Sequence, residues 1–209
     1  QPISVVNRPG GNGSVGVSEA IQAKPDGYTI AIGSITSTII QPLLSDLPYK
    51  GPDDFAPVMK MINAPAVLVT KADAPWKSLN ELLDAAKANP GKLKIGQGAA
   101  VGSLYQIIIE MLKDKAGVNV THVPNGGGGE AITALLGGHI EAAVMGITPL
   151  AGQIKAGKVR LLAVFEEKRN PAYPDTPTAR ELGYDITPGI YYFLLTAKNT
   201  PKKSIQTLN

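Results

Sequence analysis

Short apolar runs alternate with helix-like segments along most of the chain. Residues 66–70 are β-branched and apolar, and residues 79–88 follow with the spacing of an amphipathic helix, which Ser78 can cap and residues 89–91 can end. The same order of strand, loop and helix recurs to residue 165. Further strands are predicted at 93–96, 118–123, 140–145 and 161–165, and further helices at 103–115, 130–136 and 149–156. Apolar strands joined by crossover helices predict an α/β fold with mostly parallel sheets.

The two ends of the chain depart from this series. Near the beginning, a strand is predicted at residues 3–6, a helix at 14–23 and a strand at 28–32. The last apolar run, 190–196, follows a proline-rich stretch at 171–177 and is free to pair elsewhere. A chain that leaves one sheet and returns to it predicts two lobes. We expect lobe 1, incomplete here, to comprise residues 1–70 and 189–209, and lobe 2 to comprise residues 71–188.

The composition excludes several classes of protein. Of 209 residues, 44% are hydrophobic and 18% are charged, and the mean hydropathy is +0.03, which is typical of a globular protein rather than a disordered or membrane-embedded one. With 0 cysteines, the chain has no disulfide and no thiolate metal site. The net charge of +3 is dispersed and aromatics are 5%, so nucleic acid is not an expected partner. The 2 histidines lack the H-E-x-x-H spacing, and we assign no metal and no cofactor.

Three segments place glycine and polar residues where a predicted strand ends: 33–38, 98–103 and 124–129. In open α/β sheets, ligands bind beyond the carboxyl ends of strands, where backbone N–H groups at helix N-termini favour anions. One such loop is explained by a tight connection with a serine cap, whereas three at equivalent places predict a shared anion site. In the run 126–129, we expect Gly127 and Gly128 to approach the ligand and to need positive φ.

An enzyme is the alternative interpretation. Gly96, Gly98 and Gly102 form a G-x-G-x-x-x-G pattern between a strand and a helix, which is similar to the fingerprint of a dinucleotide-binding oxidoreductase. The pattern has one residue too many, and residues 120–125 lack the carboxylate that would bind a ribose. A P-loop lysine and a G-x-S-x-G nucleophile are also missing from the sequence.

Several short motifs carry a resemblance to a known family. They run in order from residue 7 to about residue 201 and are specific only together. They comprise Asn7-Arg8-Pro9-Gly10-Gly11, Pro25-Asp26-Gly27-Tyr28-Thr29, Leu47-Pro48-Tyr49, Asp54-Phe55-Ala56-Pro57-Val58, Thr121-His122-Val123-Pro124, Leu135-Leu136-Gly137-Gly138-His139-Ile140-Glu141, Ile154-Lys155-Ala156-Gly157-Lys158 and Pro174-Asp175-Thr176-Pro177-Thr178. The set resembles the Bug family, the extracytoplasmic solute receptors of tripartite tricarboxylate transporters.

The resemblance implies a type II periplasmic-binding-protein fold in which two α/β lobes close on a ligand without catalysis. It implies a small carboxylate ligand (a di-, tri- or aromatic carboxylate), membrane transporter subunits as partners, a monomer and a periplasmic location. Family members carry a signal peptide, a first strand, a glycine-rich ligand loop and a first helix before the Asn7-Arg8-Pro9-Gly10 motif. We therefore expect this chain to be a fragment that lacks those segments and the C-terminal end.

The resemblance also assigns candidate ligand-binding residues, carried over loop by loop. Asn125 and Gly126 stand where the family usually has an aromatic residue and often a lysine, which predicts a wider pocket. Residues 146–148 stand where many members carry an aspartate, which disfavours an amino-acid ligand. The full candidate set is Ser34, Ser37, Thr38, Gly98, Gly102, Ser103, Asn125, Gly126, Gly127, Gly128, Gly146 and Thr148.

Overall fold

A computed structural model gives the fold of the protein and describes residues 2–209. The helices are α1 Ser14–Gln22, α2 Gln41–Leu44, α3 Leu79–Ala88, α4 Leu104–Ala116, α5 Gly128–Leu136, α6 Ala151–Lys155 and α7 Lys202–Leu208. A π-helical segment, Thr36–Ile40, leads directly into α2. The strands are β1 Ala31–Ser34, β2 Phe55–Asn63, β3 Ala66–Lys71, β4 Lys94–Gln97, β5 Thr121–Val123, β6 Ala142–Gly146, β7 Val159–Val164 and β8 Tyr191–Ala197.

The chain folds as two compact units. The first unit comprises Gln1–Asn63 and Tyr191–Asn209, and the second comprises Ala64–Ile190. Strand β3 belongs to the second unit, because it pairs there with β6 and β7, whereas the predicted boundary after residue 70 put most of it in lobe 1. The assignment of functional lobes to 1–70 with 189–209 and to 71–188 stays a prediction.

The first unit contains a three-stranded antiparallel sheet in the order β1-β8-β2. Strand β8, formed by the last apolar run, occupies the centre, as expected for a segment that pairs outside the crossover series. Its Leu195 packs in a core with Val17 of α1, Tyr49 and Phe55. The strand predicted at 3–6 is wrong: residues 2–9 form no strand, because no strand in residues 2–209 pairs with them.

The second unit contains a five-stranded sheet in the order β5-β4-β6-β3-β7. Strand β4 runs parallel to β5 and β6, while β3 runs antiparallel to β6 and β7. Strands β4 to β7 therefore all point one way, as the crossover helices predict. The expectation of mostly parallel strands is confirmed in this sheet apart from β3, which follows β2 without a crossover helix and is inserted in the opposite direction. The sheet of the first unit departs from that expectation, because both of its strand pairs are antiparallel.

Helices α4 and α5 both pack against β4 and β6. Met145 of β6 packs with α5, whereas a β-carbon on the next residue, Gly146, would meet Tyr105 of α4, so the two helices cover opposite faces of the sheet. Alternate strand residues Val67, Val69, Ala143 and Met145 pack in one core with Leu135 of α5. The α3 boundaries are those predicted, and the Ser78 hydroxyl accepts the Glu81 N–H as its cap. In the part of the chain that the structure describes, every helix is too short or too polar to span a bilayer.

Candidate functional site

The loop after β1 is held together by its own hydroxyl groups. The Ser34 N–H donates to Ser37 Oγ over 2.9 Å, and the Thr38 hydroxyl donates to the Ser34 carbonyl over 2.7 Å. The Ser37 hydroxyl also donates to the Ser34 carbonyl over 3.1 Å. Ser37 and Thr38 are buried, whereas Ser34 is half-buried. The Ser34 hydroxyl in turn accepts the Ser37 N–H over 3.2 Å. All three candidate residues therefore hold the loop together, and Ser34 is the least buried of them.

The buried side chain of Tyr49 stabilises the same loop. Its hydroxyl donates to the Ser37 carbonyl over 2.6 Å inside the core. Burial raises the pKa of Tyr49 to about 12, so the group stays a neutral donor at all ordinary pH values. This hydrogen bond holds the first turn of the π-helical segment in place, because Ser37 is the second residue of that segment.

A glycine-rich turn that the sequence did not assign to the site lies beside this loop. Gly10, Gly11, Asn12 and Gly13 all have positive φ and lead into α1. A β-carbon added at Gly13 would lie 3.4 Å from Ser37 Cβ, so the two loops are in contact. The signal in the sequence is the run of turn-forming residues in positions 7–13, part of which also carries the resemblance to the family.

In the second unit, the candidate loops after β4, β5 and β6 converge. The Gly98 N–H donates to the Val144 carbonyl over 2.9 Å. A β-carbon added at Gly98 would lie 2.5 Å from Met145 Cβ and 3.8 Å from Gly128 Cα. Glycine is required at position 98 because the three loops approach this closely. The carboxyl ends of these parallel strands therefore form one surface. The predicted anion site shared with the loop at 33–38 stays a prediction.

Gly146 and Thr148 continue this surface. A β-carbon at Gly146 would lie 3.0 Å from the hydroxyl of Tyr105, which reaches over from α4. Thr148 is exposed and begins a short 3-10 turn. Tyr105 is a neighbour of the site that sequence reasoning missed, since an aromatic residue on an amphipathic helix is ordinarily part of the core.

Two of the candidate backbone donors are engaged by side chains of the chain itself. The Gly102 N–H donates to Oε1 of Gln106 over 2.8 Å, and the Gly126 N–H donates to Oε2 of Glu130 over 2.8 Å. Each acceptor belongs to the first turn of the following helix. These contacts stabilise the loops in the way that a capping box does.

The glycine run before α5 adopts a different backbone from the one expected. Gly127 has φ of −178°, an extended conformation open to any residue, and none of the glycines at 126–129 has a positive φ. The expectation of positive φ at Gly127 and Gly128 is therefore wrong. Gly127 is half-buried and has no atom within 4 Å of an added β-carbon, so close packing does not explain it.

Three buried polar atoms near this surface lack hydrogen-bond partners. Across residues 2–209, the buried side-chain atoms without a partner are Gln97 Nε2, Ser103 Oγ and Asn125 Oδ1. Ser103 occupies the N-cap position of α4, yet its hydroxyl makes no capping bond. Leaving such a group unpaired costs about 1 to 3 kcal/mol, and a ligand or an ordered water usually satisfies it.

Asn125 turns its amide oxygen towards the sheet. A β-carbon at Gly96 would lie 2.7 Å from Asn125 Oδ1 and 2.5 Å from Ile140 Cδ1. Gly96 therefore makes room for the asparagine side chain. With Gly98 explained by contact with Met145, two of the three glycines in the nucleotide-like pattern are explained by packing. In the described residues, no group of three potential metal-ligating side chains is present.

The two helix N-termini at this surface differ in charge. The first turn of α4 holds no acidic residue, whereas the first turn of α5 holds Glu130. The positive N-terminus of each helix dipole favours an anion, but the carboxylate of Glu130 already lies at the N-terminus of α5. The N-terminus of α4, with the unpartnered hydroxyl of Ser103, is therefore the better place for a ligand carboxylate.

Comparison with known proteins gives a consistent result. A sequence profile described as the tripartite tricarboxylate transporter family receptor matches residues 1–209. BugT of Bordetella pertussis is 31% identical over 212 residues, covering 100% of this chain and 65% of that protein. The chain thus spans less than two thirds of the length of that relative.

Solved structures show the same likeness. MatC of Rhodopseudomonas palustris with bound malate has a TM-score of 0.85 and 28% identity, covering 100% of this chain and 71% of that one. Rpa4515 of R. palustris with adipate has a TM-score of 0.88 and 27% identity, covering 97% of this chain and 68% of that one.

Proposed function

This chain belongs to the tripartite tricarboxylate transporter receptor family, and we propose that it captures a small carboxylate outside the cytoplasm for such a transporter. Membership confirms the resemblance to the Bug receptors, the periplasmic-binding-protein fold and the expectation of a receptor rather than an enzyme. The ligand and partners of the whole protein are part of the proposal.

One observation carries the proposal: the unpartnered hydroxyl of Ser103 at the N-terminus of α4. A carboxylate accepts hydrogen bonds, and the positive end of a helix dipole favours its charge. The 13-residue helix α4 has no acidic side chain in its first turn to compete. Malate and adipate are bound in two related structures, which supports a dicarboxylate.

The candidate residues have two different roles in this proposal. We propose that one group supplies contacts to the ligand, directly or through water, and comprises Ser34, Gly98, Ser103, Gly127, Gly128, Gly146 and Thr148. The other group shapes the loops through the internal contacts described above and comprises Ser37, Thr38, Gly102, Asn125 and Gly126. That Ser34 and Ser103 serve one ligand stays a prediction.

Calorimetric titration tests the proposal. The protein expressed at its native length is titrated with mono-, di- and tricarboxylates, malate and adipate among them, and with NAD as the probe for the oxidoreductase alternative. We expect a carboxylate to bind and to be recovered chemically unchanged by mass spectrometry. Binding of NAD with no binding of any carboxylate would refute the receptor proposal.

We propose that the receptor is a monomer in the periplasm. Its proposed partners are the membrane subunits of a tripartite transporter. Copurification with membranes that contain those subunits, with and without the bound carboxylate, tests the partnership. Capture that requires the ligand supports it. Equal recovery from membranes that lack the subunits contradicts it.

A further inference from the structure

Gln97 is an unusual residue for its position. It is the last residue of β4, a strand flanked on both sides by β5 and β6, and its exposed fraction is 0%. A buried amide is costly there unless both its oxygen and its nitrogen find partners. An apolar residue would fill the same space without that cost, so the buried amide indicates a role in hydrogen bonding.

Half of this amide has a partner within the protein. Gln97 Oε1 lies 2.9 Å from Nε2 of His122, a residue of the neighbouring strand β5. Burial lowers the pKa of His122, so the ring is neutral near pH 7 and carries one proton. With that proton on Nε2, the imidazole donates to Oε1 and fixes the orientation of the amide. The NH2 group of Gln97 then remains as a buried donor without a partner.

The two neighbours of Gln97 in the chain show which face of the sheet its side chain lies on. An added β-carbon on Gly96 or Gly98, the residues on either side of Gln97, would point at Ile140 or Met145 in the core shared with α5. Side chains alternate along a strand, so Gln97 faces the other side, which α4 covers. His122 lies on that side too, within electrostatic reach of Glu110 and Lys113 of α4.

The same connection contains a second buried donor. Ser103, the N-cap of α4, lies only six positions after Gln97, its exposed fraction is 2%, and its hydroxyl has no partner. Gln97 thus ends β4 and Ser103 caps α4, so the connection between them begins and ends with a buried donor that lacks a partner. Neutral water could serve one of them, but two donors and a helix N-terminus together match the charge of a carboxylate.

We propose that Gln97 is a ligand-reading residue: its amide nitrogen and the Ser103 hydroxyl donate to one carboxylate oxygen pair at the N-terminus of α4, with His122 as the positioning residue. This inference rests on the proposed function. It names a side chain, rather than backbone alone, as a determinant of carboxylate binding in this chain.

Substitutions at Gln97 test the inference, with malate and adipate as probes in calorimetric titrations of the native-length protein. Gln97→Met keeps the length of the side chain and removes the donor, and we expect affinity to fall about ten- to a hundredfold. Gln97→Glu puts a carboxylate opposite the ligand at neutral pH and should weaken binding further. Binding by this second variant should recover as pH falls towards about 5.5, because the introduced carboxyl group again offers a donor once it is protonated.

A role in positioning is tested at His122. His122→Gln keeps a donor to the Gln97 oxygen and should retain more affinity than His122→Phe, which removes it. If both His122 variants bind the probe equally well, His122 has no positioning role.

Thr70→Val is the matched control. Thr70 is fully buried in β3, and its hydroxyl donates to the Glu141 carbonyl over 2.8 Å, at the opposite end of β6 from the site. We expect this variant to lose thermal stability and to keep its affinity. If wild-type protein binds neither these probes nor any other carboxylate, the proposed function fails. If wild type binds and the folded Gln97→Met variant binds equally well, only the inference about Gln97 fails.

Discussion

Gly127→Val distinguishes a loop that contacts ligand from a loop that only turns the chain. Gly127 has an extended backbone with φ of −178°, which a β-branched residue adopts readily. An added β-carbon has no atom within 4 Å, so the variant is expected to fold. The new side chain should therefore affect what approaches the loop from outside far more than the core.

The expected magnitudes follow from this geometry. A lost hydrogen bond to a charged ligand group costs about 1.5 to 3 kcal/mol, which corresponds to about ten- to a hundredfold in affinity. Replacing glycine at the N-cap of α5 costs about 0.5 kcal/mol of folding stability, or roughly 1 to 2 °C in melting temperature for a chain of this size. Loss of affinity should thus far exceed loss of stability.

Calorimetric titration with malate and adipate, beside thermal unfolding, measures both quantities. Gly51→Val is the matched control, since Gly51 is likewise extended, precedes a short helical turn and has open space around an added β-carbon. A Gly127→Val variant that folds and binds as tightly as wild type would refute the idea that the ligand contacts this loop.

Three further predictions concern charge, packing and pH. Glu130→Gln removes the carboxylate that accepts the Gly126 N–H, and we expect tighter binding of malate, with a smaller gain at high salt. Tyr49→Phe leaves the buried Ser37 carbonyl without its 2.6 Å donor and should destabilise the protein by about 1 to 3 kcal/mol in chemical unfolding. The backbone N–H of Thr178 lowers the pKa of Glu181 in the folded protein. The Glu181 carboxylate should therefore stabilise the protein above the pKa that it has in the unfolded chain, and this stabilisation should be lost as pH falls through its lower pKa in the folded protein.

Each of these predictions has a control. For charge, Asp84→Asn neutralises an exposed carboxylate in the middle of α3 and should leave malate affinity unaltered. For packing, Tyr28→Phe removes a hydroxyl from a side chain that is 77% exposed and should cost little. For pH, Glu181→Gln should flatten the pH dependence of unfolding below the unfolded pKa of a glutamate. Unchanged malate affinity in Glu130→Gln, full stability in Tyr49→Phe or an unaltered acid limb in Glu181→Gln would contradict the corresponding prediction.

Local signals in the sequence predicted most of the secondary structure in the second unit. Helix α3 begins after Ser78 and ends at Ala88, as the cap and the apolar spacing indicate. The direction of β3 was not predictable in this way, because an apolar strand has the same pattern in parallel and antiparallel neighbours. Its direction follows from the short connection to β2, whose place in the other unit no local pattern reveals.

The candidate site was predictable in outline but not in the roles of its glycines. Gly98 is fixed by contact with Met145, whereas Gly127 has open space around it, and the two look alike in the sequence. Gln97 stands inside a glycine pattern that gives no sign of its role, and a buried amide with one satisfied end is visible only in three dimensions. The composition of a loop alone does not show whether its glycines serve packing or ligand binding.

The central position of β8 constrains the order in which the protein folds. Thr196 donates a hydrogen bond to the Thr29 carbonyl across 167 residues of sequence, and β8 separates β1 from β2 in their sheet. During synthesis, β1 and β2 cannot complete their sheet until β8, Tyr191–Ala197, has emerged. The continuous segment 64–190 has no such requirement. We expect the second unit to fold first on the ribosome, and the slow closure of long-range contacts to keep the first unit open to chaperones until β8 pairs with β1 and β2.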